Sequence, residues 1–347
     1  MSAHAPPLRW KRPMAESSRY HRGCGAAGRR PSARGMPRRL ATSARPPRRP
    51  VSALFFPESS MSVIDHQGVA IAYEEAGTGL PIVLVHSFLG SGEIWRAQVP
   101  VLAAQHRVIN VDLRGHGGSG HLTEPFTLYD AVDDVIVVLD ALGIQRAVWC
   151  GLSMGGMVAL RAAIQHPQRV AGLILMDTDA GAESVWHKVK YRAMGGAVSA
   201  FGVRPLLPFV TRLMFGAATR RDNPALVSET RAMMGRNHVP SALKCLAALM
   251  RRDSVVGRLH EIDVPALVVV GEEDRMLPPS LSRRIQAELP DARLTTIPDA
   301  GHMTPIEQPE RVNAAVLAFL ATLAHPRPED AAEPGPAKPA PGRDGYD

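Results

Sequence analysis

The sequence predicts an α/β chain, a mostly parallel central sheet with helices on both faces, and three observations carry this. Short apolar, β-branched runs alternate with helix-period segments between residues 81 and 324, as strand–helix–strand units require. The run Gly151-Leu152-Ser153-Met154-Gly155-Gly156 sits between one such strand and one such helix. Asp274 and His302 follow the ends of later strands, on the edge where open parallel sheets bind ligands.

The elements follow in chain order. Met61–Tyr73 reads as a first hairpin with Gly68 in its turn. Strands are expected at Ile82–His86, Val108–Leu113, Ala147–Gly151, Gly172–Asp177, Leu267–Gly271 and Arg293–Ile297. Helices are expected at Ile94–Ala104, Leu128–Leu142, Gly155–His166, Pro279–Leu289 and Pro309–Leu323. Leu128–Leu142 has helix-period apolar spacing, places Asp130, Asp133 and Asp134 on its solvent side, and is closed by Gly143. The Ala-rich helix after Ser153 is stopped by Pro167. From about Thr178 to Asp263 the alternation breaks into helical runs without strand signal, punctuated by Gly and Pro. The expected organisation is a core of residues 61–178 and 264–324, with a helical insertion at 179–263.

The chain has 347 residues and a formal net charge of +7, but residues 1–60 hold 13 Lys/Arg against 2 Asp/Glu, and the remainder 27 against 31. The basic balance therefore resides in the leader, and no nucleic-acid partner is inferred for the body. The leader is Arg- and Pro-rich without periodicity, and is expected to be disordered. The favoured reading is a translated region ahead of a true start at Met61; an organellar transit peptide or a basic tail for acidic partners are the alternatives. Residues 325–347 contain 6 prolines and are expected to be a disordered tail. No apolar run reaches transmembrane length, so no membrane partner is expected. Cys24, Cys150 and Cys245 are widely spaced and odd in number, which fits a reducing, cytoplasmic compartment. Cys150 reads as a small buried hydrophobe rather than a reactive thiol.

A G-x-S-x-G between strand and helix is a nucleophile elbow, whose serine is held in strained geometry with its hydroxyl exposed. Strand and helix nearly touch there, so only small residues fit two positions before and after; Gly151 and Gly155 supply them. The following helix aims its N-terminal amides at the reacting centre. A serine hydroxyl is a weak nucleophile at neutral pH and needs a base and a group to orient the base. His302, in Asp299-Ala-Gly-His302-Met303, is the candidate base, and Asp274, in Glu272-Glu273-Asp274-Arg275, the candidate acid.

With these motifs on the page, the chain from about Met61 to Ala324 resembles the α/β-hydrolase fold family, in particular its serine esterases and enol-lactone hydrolases. Pro81-Ile-Val-Leu-Val-His86-Ser87-Phe88-Leu89-Gly90 resembles the family's strand and oxyanion loop, and Asp112-Leu-Arg114-Gly-His116-Gly-Gly-Ser119 its D-x-R-G-x-G-x-S loop. Gly301-His302-Met-Thr-Pro-Ile-Glu307-Gln-Pro309-Glu310 resembles its histidine loop. The resemblance implies oxyanion donation by the backbone amides of Phe88 and Met154, and a helical cap over the site after the sixth strand. It also implies hydrolysis of a small-molecule ester or lactone without cofactor or metal. Ser87 departs from the family's usual glycine; it could tilt the Phe88 amide or add a hydroxyl near the substrate.

Several competing assignments stand beside this. Asp179 is an alternative acid. Glu272 and Glu273 read as a solvated pair, and Asp112 and Arg114 as braces of their loop. His86, His116 and His121 lack zinc-site spacing, and Gly115–Gly120 fits neither phosphate-loop pattern. The cap's Met194, Met214, Met233, Met234, Met250, Phe201, Phe209, Phe215 and Trp186 are expected mostly to pack the cap onto the body, a subset lining an apolar pocket. Carbon–carbon hydrolases and cofactor-free peroxidases of the fold share the serine arrangement, a haloalkane dehalogenase would need a carboxylate at position 153, and a ligand receptor could retain all of it. Oligomeric state is left open.

Overall fold

A computed structural model describes residues 61–324; the leader at 1–60 and the tail at 325–347 lie outside the described residues. Eight strands form one sheet among them: β1 (Ser62–His66), β2 (Val69–Ala76), β3 (Leu80–Val85), β4 (His106–Val111), β5 (Ala147–Leu152), β6 (Val170–Met176), β7 (Ala266–Gly271) and β8 (Ala292–Ile297). Their order is β1-β2-β4-β3-β5-β6-β7-β8. β1, β2 and β4 pair antiparallel, and every pairing from β4 through β3 to β8 is parallel. The β1–β2 turn is Gln67-Gly68, both with positive φ (56° and 76°), as a two-residue hairpin turn of matching twist demands.

The strands alternate their side chains between two cores. Val83, Val85, Trp149, Leu173, Leu175 and Val268 face one; Ile82, Leu84, Val148, Cys150, Ile174 and Val269 face the other. The first is covered by helices α2 (Leu128–Ala141), α3 (Met154–Gln165) and α9 (Pro279–Glu288), the second by α11 (Pro309–Ala324) together with the 3-10 turn Gly92–Trp95. Two-sided burial explains why these strands read as continuous apolar runs. The thiol of Cys150 is buried in β5, and burial pushes its pKa far up.

Two helix expectations are corrected. Ile94–Ala104 is not one helix: the 3-10 turn Gly92–Trp95 is followed by a single turn, α1 (Val99–Leu102). Pro100 sits in the first turn of α1, where its missing N–H is tolerated; inside a longer helix it would break the ladder. Asp134 does not face solvent. It is fully buried on α2, where it accepts hydrogen bonds from Arg114 Nη2 (2.6 Å) and pairs with His66 Nδ1 (2.7 Å). The partners arrive from β1 and the 112–119 loop, and a buried carboxylate is tolerated only with such pairing.

Between β6 and β7 run α4 (Val185–Phe201), α5 (Leu207–Met214), α6 (Ala217–Asp222), α7 (Pro224–Met234) and α8 (Val239–Arg251). They roof a cavity whose floor holds Ser153 and His302. Met194, Met214, Met234 and Met250 line it, whereas Phe215 is buried in packing. Trp186, Phe201 and Phe209 do neither: they are 83%, 76% and 54% exposed, contrary to the packing expectation. They lie on the outer faces of α4 and α5, and sequence spacing does not distinguish an inner from an outer face. After α8, Val255, Leu259 and Ile262 turn back into the core of the body.

After β8 the described residues end with the single turn α10 (Thr304–Glu307) and the long helix α11. The chain reverses its winding at β3, which lies between β4 and β5, so the crevice at its C-terminal end is where an open α/β sheet binds ligands. Val85 pairs with Gly151, Leu152 with Met176, Met176 with Val269, and Gly271 with Ile297. The loops after β3, β5, β6, β7 and β8 are thereby lined up along one edge.

Candidate active site

Ser153 caps α3 with φ 52° and ψ −110°, a conformation that L-residues avoid and that costs about 1–3 kcal/mol where it persists. The neighbours hold it there. Ser153 N–H donates to Met176 O (2.8 Å), and Thr178 Oγ1 donates to Ser153 O (2.6 Å). A Cβ on Gly151 would come within 2.2 Å of the Gly155 carbonyl carbon, and one on Gly155 within 2.0 Å of Val85 O. Both are backbone contacts, so the strand–helix approach admits glycine only.

His302 and Asp274 meet this serine. His302 Nε2 lies 2.9 Å from Ser153 Oγ, and its Nδ1 lies 2.7 Å from Asp274 Oδ2. Nδ1–H donates to the carboxylate, leaving the Nε2 lone pair for the serine hydroxyl. Asp274 Oδ1 accepts the amides of Met276 (2.8 Å) and Leu277 (2.9 Å), so its orientation is fixed by its own loop. Asp274 and His302 are buried, at 4% and 3% exposure. Burial alone would depress the imidazole; the charges of Asp274 and Asp177 and the Asp274 hydrogen bond outweigh it and hold His302 above its ordinary value.

The amide of Met154 is the first of α3 and has no intrahelical acceptor by position. Phe88 follows β3 and lines the same cavity as Ser153. Ser87 is buried in the loop after β3, and its Oγ has no hydrogen-bond partner among the described residues. The loop is braced from below by two neutral histidines. His86 Nδ1–H donates to Ser87 O (2.7 Å) while Nε2 accepts the Leu113 amide (2.9 Å). His116 Nε2 accepts the Leu89 amide (3.2 Å). Burial lowers their pKa values to about 4 and about 3. His121 stacks on His238 at 3.9 Å. Asp112 accepts the Gly92 (2.6 Å) and Gly118 (2.7 Å) amides, tying the two loops together.

Other candidates fall elsewhere. Asp179 pairs with Arg252 (3.3 Å) and accepts the Gly181 amide, while Asp274 holds the histidine. Glu272 is exposed, but Glu273 Oε2 accepts the Ala217 amide at the start of α6 (2.7 Å). Glu273 is thus not simply solvated: a free amide in the first helical turn attracts a carboxylate.

Two residues of the site escaped sequence reasoning. Asp177, fully buried at the end of β6, accepts the Gly271 amide on Oδ1 (2.9 Å) and the Thr304 amide (3.1 Å) and hydroxyl (2.7 Å) on Oδ2. Burial, reinforced by the Asp274 charge, pushes its pKa up to about 7 against those three donors. Glu307 accepts the Gly301 amide (2.8 Å) and the Gly216 amide (2.8 Å), tying the histidine loop to the cap. Both stood in segments already singled out, but only their partners, far away in sequence, reveal their part.

The α/β hydrolase fold family matches residues 81–309, and the chain belongs to that family. It is an α/β-fold hydrolase. It is 37% identical over 257 residues to the dihydrolipoyllysine-residue acetyltransferase component of an acetoin cleaving system from Pseudomonas putida, covering 70% of this chain and 64% of that protein. The chain thus spans just under two thirds of that relative. A putative non-heme bromoperoxidase from Mycobacterium tuberculosis is 31% identical over 74% of this chain and 99% of its own length. Among solved structures, a thermophilic esterase from Thermogutta terrifontis matches with a TM-score of 0.73 and 32% identity, covering 76% of this chain and 99% of its own. An enol-lactonase from Burkholderia xenovorans matches with a TM-score of 0.71 and 27% identity, covering 75% and 100%. Among the described residues no helix is long and apolar enough to cross a membrane.

Proposed function

We propose that the chain hydrolyses small, partly apolar carboxylic esters or lactones through an acyl-enzyme. The observation that carries this is the serine–histidine–aspartate relay, 2.9 and 2.7 Å long, opening into a largely apolar cavity at the N-terminus of a helix. Ser153 Oγ attacks the carbonyl carbon while His302 Nε2 takes its proton; Asp274 fixes the imidazole tautomer and stabilises the imidazolium. The oxyanion forms against the amides of Phe88 and Met154, aided by the positive end of α3. His302 then protonates the leaving alkoxide, and the alcohol departs (in a lactone it stays tethered). A water, deprotonated by His302, attacks the acyl carbon; the bond to Ser153 Oγ breaks, Oγ takes the proton back from His302 Nε2, and the acid is released.

Similarity to an esterase and an enol-lactonase supports this reading over carbon–carbon cleavage. The chemistry calls for no cofactor or metal and a small-molecule partner only. The free, buried Cys150 and Cys245 favour the cytoplasm. The test is a panel of p-nitrophenyl esters from acetate to palmitate beside simple lactones, with fluorophosphonate labelling of Ser153. The cavity, of about 150 Å³, predicts preference for short and medium acyl groups. Undiminished labelling of Ser153→Ala, or preference for palmitate, goes against it. Halogenation with peroxide but no ester turnover transfers the assignment to the peroxidase-type members.

A further inference from the structure

On the ester reading, the substrate's acyl group lies in the cavity under the cap. Ser87, Ser153 and His302 are the polar residues at its reacting end. The remaining polar wall is made by Glu183, Tyr191 and Arg252, amid Met, Leu and Val side chains. An apolar pocket with a few convergent polar groups uses them to fix and select its ligand.

The group is built rather than incidental. The Arg252 side chain is 4% exposed. Its Nη1 donates to Glu183 Oε2 (2.8 Å) and Leu249 O (2.9 Å), Nε to Gly181 O (2.9 Å), and Nη2 to Asp179 Oδ2 (3.3 Å). One guanidinium thus faces two carboxylates. Burial works to raise Glu183, but Arg252, then His187 at 2.7 Å, more than offset it and keep the carboxyl below its usual range. Glu183 and Asp179 offset Arg252, and His187 is a further partner of Glu183, so the group holds no unpaired positive charge. Tyr191, on the cavity side of α4, has no hydrogen-bond partner for its hydroxyl among the described residues; burial and the Glu183 charge raise its pKa, so it remains an O–H donor. A lone donor beside an already paired carboxylate suits a neutral acceptor, whereas an anion would be desolvated beside Glu183 and find every guanidinium nitrogen of Arg252 already committed.

We propose that Tyr191, Glu183 and Arg252 form a specificity subsite that reads the far end of the acyl chain, taking a neutral oxygen such as a ketone and rejecting a carboxylate. The inference rests on the ester reading and names the substrate class within it.

Three p-nitrophenyl esters of matched length and shape test it, ending in an isopropyl group, a methyl ketone or a carboxylate, each corrected for spontaneous hydrolysis. The wild-type kcat/KM for the ketone should exceed that for the carboxylate at least about tenfold. Tyr191→Phe, which deletes one hydroxyl and keeps the ring, should lower the ketone-to-isopropyl ratio about tenfold, the worth of one net hydrogen bond. Glu183→Gln, which keeps an acceptor for Arg252 but removes a charge, should raise the carboxylate-to-ketone ratio by a similar factor. A wild type that prefers the carboxylate, or a Tyr191→Phe that lowers all three esters equally, overturns the subsite while leaving ester hydrolysis intact. No turnover of any of them, by protein whose Ser153 still reacts with a fluorophosphonate, overturns the ester reading and the subsite together.

Discussion

Asp177 holds Thr304 by both its amide and its hydroxyl, at 3.1 and 2.7 Å, through a single carboxylate oxygen. Its other oxygen takes the Gly271 amide at 2.9 Å. Thr304 lies two residues beyond the proposed base and Gly271 three before the proposed acid, so one buried group at the end of β6 fixes the spacing of both loops. A Cβ on Gly271 would meet Gly301 O at 1.9 Å, which shows how closely those loops approach. The main-chain bond from Ser153 N–H to Met176 O adds the elbow to the same strand end.

Asp177 also acts at a distance, since its charge helps hold His302 above the ordinary histidine value. The sign is definite. His302 must be neutral to accept the serine proton, so kcat/KM falls as pH drops through its raised pKa, giving an acid limb above pH about 6.5. Asp177 itself titrates at about 7 and is only partly ionised across that limb, so Asp177→Asn removes a partial charge and should move the limb to lower pH by less than about half a unit. It also replaces an acceptor with a donor and loosens one loop, lowering kcat. A pH–rate profile with an unmoved limb would leave Asp177 a purely structural clasp.

Ser153→Ala and His302→Ala should each lower kcat by at least about 10³-fold, and the double variant should lose little more, because a relay with one member missing transfers no proton. Single-turnover kinetics on the preferred ester measures this. Additive losses would mean that the two residues act in separate steps.

The acid assignment separates Asp274 from Asp179. Asp274→Asn leaves His302 without its carboxylate and should cost roughly 10³- to 10⁴-fold in kcat, while Asp179→Asn weakens an ion pair with Arg252 and should cost far less. Both proteins should keep wild-type circular dichroism. An active Asp274→Asn beside a dead Asp179→Asn would transfer the role.

The sheet and the candidate triad were legible because each was written locally. Gly151-Leu-Ser153-Met-Gly155 carries its own strand, turn and helix, and Asp274 and His302 each follow a β-branched run. What stayed hidden depends on partners distant in sequence. Asp134 looks like the polar face of α2 until Arg114, twenty residues earlier, turns in to meet it. Asp177 looks like a strand-end turn residue until Gly271 and Thr304 arrive. Likewise the cap's methionines and aromatics are alike in sequence, and the packing of five helices decides that Met194 lines the cavity while Trp186 meets solvent. Pro100 was the exception: its signal was local, and it sets where α1 begins.

Two glycines give opposite expectations for one substitution. Gly155 sits in the first turn of α3, where an added Cβ would meet Val85 O at 2.0 Å and Val85 C at 2.6 Å. Both are backbone atoms of a central strand paired on both sides, so neither can retreat without breaking the ladder. Gly155→Ala should therefore destabilise by several kcal/mol, at the upper end of single-substitution effects (about 4–5 kcal/mol), or fail to fold. Gly196 lies inside α4, and an added Cβ would meet nothing within 4 Å. There alanine only reduces the freedom of the unfolded chain and favours the helix, so Gly196→Ala should stabilise by about 0.5–1 kcal/mol. Thermal and urea unfolding of the two variants against the parent measures the contrast. A stable Gly155→Ala with unaltered ester turnover would show that strand and helix can part at the elbow, and the requirement for glycine there would fail with it.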